Sequence, residues 1–306
     1  MALAQILNPV TLKYRAWRHD HVARSVLSTP PIVAADDGLV LFSMMGTRVL
    51  LPYLVAVKSL HAQLRRGRIM ILNDGSLTAA DRAVLAHHCD NPVIVEMAEI
   101  ATGACPKGNC WERLLAILDT RANDYVIQLD SDTVTTGPVP EITTAIAANR
   151  SFTLGGGAKE VVHGFLSPRE IRQLFYANGP VSNHVQHQSE HAFVDMPDAD
   201  NIRYIRGCAG FAGFAKNTDG RERVEAFSTA MAGLIGDKWT EWGSEQVASN
   251  FVISNDPDPV ALPYSHYINH WDEAVPTDVR FWHFVGTYRY HFGTYKMATK
   301  AAIAAL

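Results

Sequence analysis

The sequence predicts an α/β fold, with a mostly parallel, Rossmann-like sheet that carries helices on both faces. Apolar runs of strand length alternate with segments of helical periodicity through the first half of the chain. Parallel strands need such helical crossovers between them. A chain of 306 residues, 47% of them hydrophobic, is long enough to bury this core and to carry a smaller additional region.

Local signals set the individual elements. Pro52 is tolerated only in the first turn of a helix, and Thr78 suits a helix N-cap. Ser167, Pro168 and Glu170 form a capping-box signature at the start of a later helix. The predicted strands are 39–44, 68–72, 92–97, 124–130, 203–216 and 279–286. The other predicted helices cover 49–64, 77–89, 111–122, 220–235 and 243–254, and the glycine-rich stretch 154–160 is predicted to be a loop.

Charge and composition exclude several classes of partner. The net charge of −4 argues against nucleic acid as the main partner. Pro9 stops the N-terminal apolar run short of a signal-peptide core. Arg48 interrupts the most apolar window, 38–57, so no transmembrane segment is expected. Segment 12–19 mixes aromatic and cationic residues, which leaves peripheral membrane contact open. The predicted location is cytoplasmic, since the four cysteines suit a reducing compartment.

Two carboxylates stand at the end of the fourth predicted strand. In "VIQLDSDTV" the buried run leads directly into Asp130 and Asp132. Ligands of parallel sheets bind outside the carboxyl ends of the strands. Hard divalent cations prefer carboxylate oxygens and usually bridge to the phosphate oxygens of a substrate. A metal site is therefore predicted here, with an ordinary turn as the alternative.

Four stretches resemble the glycosyltransferases of the GT-A fold, and most of all the retaining enzymes of glycosyltransferase family 8 and its relatives. "YVIQLDSDTV" resembles the family's Asp-x-Asp strand, and "GCAGFAGF" (207–214) falls where the family has an Asn-Ser-Gly strand. "EQVASN" (245–250) resembles an Asp-Gln with a downstream Asn. "HFVGTYR" (283–289) resembles a C-terminal His-Phe-x-Gly-x-x-Lys. The resemblance spans about residues 38–291.

The resemblance implies a metal and diphosphate site. Asp130, Asp132 and His283 would hold Mn²⁺ or Mg²⁺ against the diphosphate of a nucleotide sugar. An imidazole among the ligands favours Mn²⁺. Arg289 falls at the phosphate-binding Lys of the family and keeps its charge. Gly286 would let the chain turn, so that His283 faces the metal and Arg289 faces a phosphate.

Further residues are implied for the donor. Glu245 and Gln246 fall at the family's catalytic Asp-Gln, and Arg113, Asp74 and Thr47 are candidates for contact with the nucleotide or its sugar. Each has a structural alternative. Glu245 suits the first turn of any helix, Arg113 suits a solvated helix position, and Asp74 suits a turn. His283, likewise, can be a core histidine.

Some positions depart from the family pattern. Cys208 and Ala209 replace an Asn and a Ser, and Glu245 is one methylene longer than Asp. Tyr290 and His291 replace a Pro-Trp pair. These changes favour a distant relative or a different donor sugar. The implied donor is a nucleotide-diphosphate sugar, with a UDP-sugar favoured, and the acceptor is an unidentified sugar, lipid or protein.

Two other classes share the central motif. In phosphatases of the haloacid dehalogenase type, the first aspartate of such a pattern, here Asp130, is a nucleophile. A non-catalytic binder of sugar nucleotides would keep the metal site without turnover. Cys105 and Cys110 offer a disulfide or a metal site, but two inert thiols are favoured there. Two histidine groups also have metal-ligand spacing, but surface histidines are favoured for both. These groups are His184, His187 and His191, and His266 with His270.

The expected organisation has three parts. Residues 1–36 form an N-terminal extension, and 37–291 form the glycosyltransferase-like domain. Within it the nucleotide-binding half covers about 37–135, and the sugar and acceptor half about 136–291. Residues 292–306 form a C-terminal helix or tail.

Overall fold

The computed structural model describes residues 9–271, 275–291 and 293–306. Residues 1–8 of the expected N-terminal extension, and Phe292 at the start of the expected C-terminal segment, lie outside the described residues. The strands are β1 (Leu39–Met45), β2 (Arg68–Asn73), β3 (Val93–Glu96), β4 (Tyr125–Leu129), β5 (Thr133–Thr135), β6 (Phe152–Gly155), β7 (Gly207–Phe214), β8 (Val260–Ala261), β9 (Tyr267–Asn269) and β10 (Phe281–His283). The helices are α1 (Pro9–Ala23), α2 (Leu50–Leu64), α3 (Ala79–His88), α4 (Trp111–Thr120), α5 (Pro140–Ala147), α6 (Ala158–His163), α7 (Pro168–Phe175), α8 (Val185–Ala192), α9 (Glu222–Ile235), α10 (Ser244–Ser254) and α11 (Thr294–Ala304).

The central sheet has seven strands in the order β3-β2-β1-β4-β7-β6-β8. The pairs β1/β2, β2/β3 and β6/β8 are parallel, and β6/β7 is antiparallel. Helices α2 and α3 connect consecutive parallel strands, as the alternation of patterns predicted. The predicted α/β class with a mostly parallel sheet is confirmed.

Contacts divide the chain into two compact units. The first comprises Met1–Glu96, Ile127–Thr143 and Pro263–Leu306, and the second comprises Met97–Val126 and Thr144–Leu262. The first unit also contains a small sheet of order β5-β10-β9. In that sheet β5 runs antiparallel to β10, and β9 runs parallel to it.

The core of the first unit is built on β1 and α2. Residues Leu39 to Phe42 of β1 are fully buried. The run is continuous rather than alternating because a parallel strand is covered on both faces. Helix α2 begins at Leu50, so Pro52 falls in its first turn, where its missing N–H breaks no helical hydrogen bond.

Both predicted helix starts are confirmed. Thr78 accepts a hydrogen bond from the backbone N–H of Asp81, and the Asp81 carboxylate accepts from that of Thr78. Ser167 and Glu170 make the same reciprocal pair, with Pro168 at the first helical position. Each capping side chain contributes about 1 kcal/mol to its helix.

Two sequence-based interpretations need correction. The stretch 154–160 is not a loop, because it ends β6 and begins α6. Its glycines serve close packing, since a Cβ on Gly155 would meet the Val161 side chain at 2.2 Å. The strand predicted over 279–286 is limited to β10, and a 3₁₀ turn follows over Gly286–Tyr288. The two inert thiols favoured at Cys105 and Cys110 are confirmed, since all four cysteines are thiols.

Helices α1 and α11 are joined through a buried histidine. His19 Nε2 lies 3.0 Å from Thr299 Oγ1, and the His19 ring stacks on Tyr295 with 3.8 Å between the ring centroids. Burial lowers the pKa of His19 to about 4. A neutral imidazole therefore fills this contact at pH 7.

We expect acidification to weaken this contact. The unfolded His19 takes up its proton near the ordinary histidine pKa of 6.5, whereas burial lowers the pKa of the folded one to about 4. Stability is thus present in full above pH 6.5 and is lost as the pH falls towards 4, by about 3 kcal/mol at most. His19→Gln should flatten this part of the pH dependence in urea denaturation between pH 7 and pH 4.5. His21→Gln, on the exposed face of α1, is the matched control. An unchanged pH dependence in His19→Gln would contradict the assignment.

Candidate functional site

Three predicted metal ligands come together in the first unit. Asp130, Asp132 and His283 each offer one ligand atom, and these atoms lie within 4.8 Å of one another. Among the described residues, this is the only group of three or more His, Cys, Asp or Glu side chains with such spacing. Asp132 and His283 are both 6% exposed, and Asp130 is half-buried.

The small sheet sets this arrangement. Asp132 immediately precedes β5, whose antiparallel register with β10 places Thr133 opposite His283. The backbone N–H of Phe284 donates to the carbonyl of Asp132 at 2.9 Å. The carbonyl of Asp130 accepts from the N–H and the hydroxyl of Thr133, at 3.2 and 2.9 Å. These hydrogen bonds hold the Asp-Ser-Asp turn against the strand that ends at His283.

Asn269 orients the imidazole. It lies opposite His283 in the parallel pair β9/β10, and its Oδ1 is 2.7 Å from His283 Nδ1. The amide oxygen accepts the proton of Nδ1, which directs Nε2 towards Asp132. The sequence did not identify this residue, because "YIN" carries no local signature and the pairing of β9 with β10 is not visible in the sequence.

The site fits a divalent cation. Asp132 Oδ1 lies 3.3 Å from His283 Nε2. Within the described part of the chain, this buried oxygen accepts no hydrogen bond of good geometry. With Nδ1 donating to Asn269, two acceptor atoms face each other, so a proton or a metal ion must lie between them. Two carboxylates and an imidazole are a ligand set that Mn²⁺ accepts.

Arg289 contacts the same carboxylate. Its guanidinium pairs with Asp132 Oδ2, and its Nε donates to the carbonyl of Phe284 at 3.2 Å. Burial alone would raise the pKa of Asp132, but the charges of His283 and Arg289 outweigh it and hold that pKa below its usual value. The carboxylate is therefore ionised at neutral pH. The phosphate contact of Arg289 stays a prediction.

Asp74 and Thr47 meet at the ends of β1 and β2. Asp74 Oδ1 accepts from the N–H and hydroxyl of Ser76, at 2.9 and 2.6 Å, and Ser76 Oγ accepts from the N–H of Thr47 at 3.0 Å. A Cβ on Gly46 would lie 2.2 Å from Asp74 Oδ1, so a larger residue there would displace the Asp74 and Ser76 side chains. Asp74 therefore stabilises a turn, as the structural alternative for this residue predicted. The contacts of Asp74 and Thr47 with a nucleotide, and any role of the exposed Gly286, stay predictions.

Three other predicted site residues, Arg113, Glu245 and Gln246, lie in the second unit and contact residues of that unit. Arg113 donates to Glu245 Oε2 at 2.9 Å, and both side chains are buried. The alternative that Arg113 is a solvated helix position is therefore wrong. Gln246 Oε1 accepts from the N–H of Ala209 at 3.3 Å, on β7, and its Nε2 donates to Gln186 at 3.3 Å.

The other histidine groups have structural roles. His184 Nδ1 accepts from the N–H of Gln186 at 3.2 Å and caps α8. His187 Nδ1 lies 2.7 Å from Ser182 Oγ. His266 Nδ1 lies 3.0 Å from Glu141. The described residues therefore do not gather a metal-ligand set around these histidines.

No protein-family model and no curated protein sequence matches the chain. Solved structures do. The galactosyltransferase LgtC, in complex with donor and acceptor sugar analogues, matches with a TM-score of 0.52 at 12% identity, over 86% of this chain and 95% of that one. Mouse xyloside xylosyltransferase 1 matches with a TM-score of 0.48 at 10% identity, over 84% and 99%. WbbM, a bifunctional glycosyltransferase, matches with 0.47 at 13% identity, over 82% of this chain, which spans 46% of the WbbM chain.

The match to LgtC shows the fold. The chain has the architecture of the GT-A glycosyltransferases, with a mostly parallel seven-stranded sheet flanked by helices. At 12% identity, the match shows that this chain and LgtC share a fold and shows nothing more. None of the described helices combines the length and the hydropathy that a membrane crossing requires.

We predict that Asn269 sets the affinity of the metal centre. Asn269→Ala removes the acceptor that fixes the imidazole, and losses of such supporting groups typically weaken metal binding about 10- to 100-fold. Asn269→Asp keeps an acceptor at the same place and should retain binding. Calorimetric titration with Mn²⁺ measures both variants. Equal affinity for Mn²⁺ in Asn269→Ala and in the wild type would show that the pair has no such role.

We also predict that the buried pair in the second unit is a structural constraint. Glu245→Met leaves the Arg113 charge buried without its partner, at a cost of about 3–5 kcal/mol. The double variant Arg113→Met/Glu245→Met removes both charges and should be the more stable of the two. Urea denaturation compares them. A double variant that is less stable than Glu245→Met would contradict this interpretation.

Proposed function

We propose that this protein is a metal-dependent glycosyltransferase that moves a sugar from a nucleotide-diphosphate donor to an acceptor, with retention, as the resemblance to glycosyltransferase family 8 implies. The observation that carries the proposal is the meeting of Asp130, Asp132 and His283 within 4.8 Å, in a chain of GT-A fold. A UDP-sugar is the proposed donor, and Mn²⁺ is the proposed ion because of the imidazole ligand.

Each residue of the centre has a defined task. A divalent ion held there would stabilise the negative charge that develops on the departing diphosphate. Asp130, Asp132 and His283 would hold the ion, with Asn269 keeping His283 Nε2 directed at it. Arg289 keeps its charge at any physiological pH, and its planar fork suits two phosphate oxygens at once. We propose that it exchanges Asp132 for the diphosphate when the donor binds.

The sugar and nucleoside contacts are assigned from the resemblance. We propose that Glu245 and Gln246 act at the transferred sugar, and that Thr47 and Asp74 contact the nucleoside. The ion pair with Arg113 supports a positioning role for Arg113, since it fixes one oxygen of Glu245. The direct donor contact that the resemblance suggested for this arginine stays a prediction beside that role.

The phosphatase alternative is not favoured. It would require Asp130 to attack phosphorus as a nucleophile. The fold is instead that of a sugar transferase, and Asp132 is engaged by both His283 and Arg289. A non-catalytic binder would keep the same ligands, so turnover separates it from the enzyme.

The test is a panel of nucleotide sugars incubated with Mn²⁺, following the release of nucleoside diphosphate. We expect slow release with water as the acceptor for at least one donor. Asp132→Asn should reduce that rate at least about 100-fold, because it removes a charged ligand and the partner of Arg289. Asp36→Asn, a substitution at a carboxylate that is 86% exposed, is the matched control and should leave it unchanged.

Two results would contradict the proposal. One is metal-independent release that survives Asp132→Asn. The other is rapid hydrolysis of a simple phosphomonoester with a covalent phosphate trapped on Asp130, which would establish the phosphatase instead.

A further inference from the structure

A basic cavity of about 140 Å³ lies in the first unit, between α1, α11 and the turn that leads into α11. Four cationic side chains line it: Arg15, Arg18, Arg289 and Lys296. None of the described residues that line it carries a carboxylate. This concentration of positive charge stands out on a chain with a net charge of −4, and it indicates an anionic ligand.

Contacts within the protein connect the walls of this basic cavity without any ligand. His19 joins α1 to α11 through Thr299 and through its stack on Tyr295. Arg15 Nη1 donates to the carbonyls of Tyr290 and His291, at 3.3 and 2.7 Å. Arg15 therefore ties α1 to the segment that carries Arg289. A preformed site loses less free energy to ordering when a ligand binds.

Two of the cations are available to a ligand. Within the described part of the chain, Arg18 and Lys296 form no ion pair with a carboxylate. The guanidinium of Arg18 lies over the ring of Tyr14, 5.8 Å from its centroid. The N–H groups of a guanidinium point outwards in its own plane, so this contact with the ring does not use them. Arg289 differs from both, because it also contacts Asp132.

The backbone adds donors on the same side. Helix α11 begins after Gly293, whose φ of +76° suits glycine, and the described residues supply no side-chain cap there and no acidic residue in the first turn. Gly293, Tyr295 and Lys296 all line the basic cavity. The first amide groups of a helix carry partial positive charge and bind phosphate readily.

We propose that the basic cavity binds a phosphate group, with Arg18 and Lys296 as direct contacts and Arg15 as the residue that positions the wall. Its volume is several times what one water molecule needs, so a phosphate group fits. The contacts come from cations and backbone amides, so binding requires no divalent metal. The phosphate belongs either to the diphosphate of a nucleotide donor or to a separate molecule. The proposal does not depend on the proposed function.

The test uses inorganic phosphate as the probe, in EDTA, with calorimetry on the full chain. We expect one site, and we expect Arg18→Gln and Lys296→Gln each to weaken it about tenfold, which corresponds to ~1.4 kcal/mol. Lys13→Gln and Lys300→Gln remove exposed charges from the same two helices without touching the basic cavity, and they should leave the affinity for phosphate unchanged. Thermal denaturation of all four variants establishes that each is folded.

Absence of phosphate binding in EDTA would overturn the proposal, as would equal weakening in the variants and in their matched controls.

A competition experiment with a nucleoside diphosphate and Mn²⁺ then identifies the molecule that carries the bound phosphate. If it displaces the phosphate, the basic cavity receives the diphosphate of the donor. If both bind at once, the cavity receives the phosphate of a separate molecule. Either result supports the site, and neither requires transferase activity.

Discussion

The pair of Asp132 and His283 is the interaction on which the centre depends. A buried carboxylate oxygen and a ring nitrogen face each other at 3.3 Å, with the other ring nitrogen already donating to Asn269. Such a pair is unfavourable unless positive charge lies between its members. Arg289 supplies part of that charge from the other carboxylate oxygen. The arrangement therefore suits a proton or a cation between the two atoms, and Asp130 offers a third ligand atom within 4.8 Å.

The register of the small sheet is the constraint that keeps these residues together. The strand β5, which begins directly after Asp132, meets two strands from far along the chain, β9 ending at Asn269 and β10 ending at His283. Side chains alternate between the faces of a sheet, so a slip of one residue would turn His283 away from Asp132. The backbone bond from Phe284 to Asp132 fixes the register at this point.

The sequence was sufficient where local patterns decide the structure. Apolar runs of strand length, separated by segments of helical periodicity, predicted the strands of the first half. Polar capping residues predicted the start of two helices. It was insufficient where distant segments pair. His283 was identified only through resemblance, Asn269 was missed, and the buried partner of Arg113 lies more than a hundred residues away. Helix α1 was not predicted, because it has no apolar stripe. The side chain through which it packs on α11 is the polar His19.

The most direct test of the account is the position of the metal ion. Crystals soaked in Mn²⁺ with a nucleoside diphosphate should show one anomalous peak, bonded to carboxylate oxygens of Asp130 and Asp132 and to Nε2 of His283, with Arg289 turned from Asp132 towards the diphosphate. An ion bound elsewhere, or a diphosphate held at this place with no ion and with Arg289 still on Asp132, would contradict it.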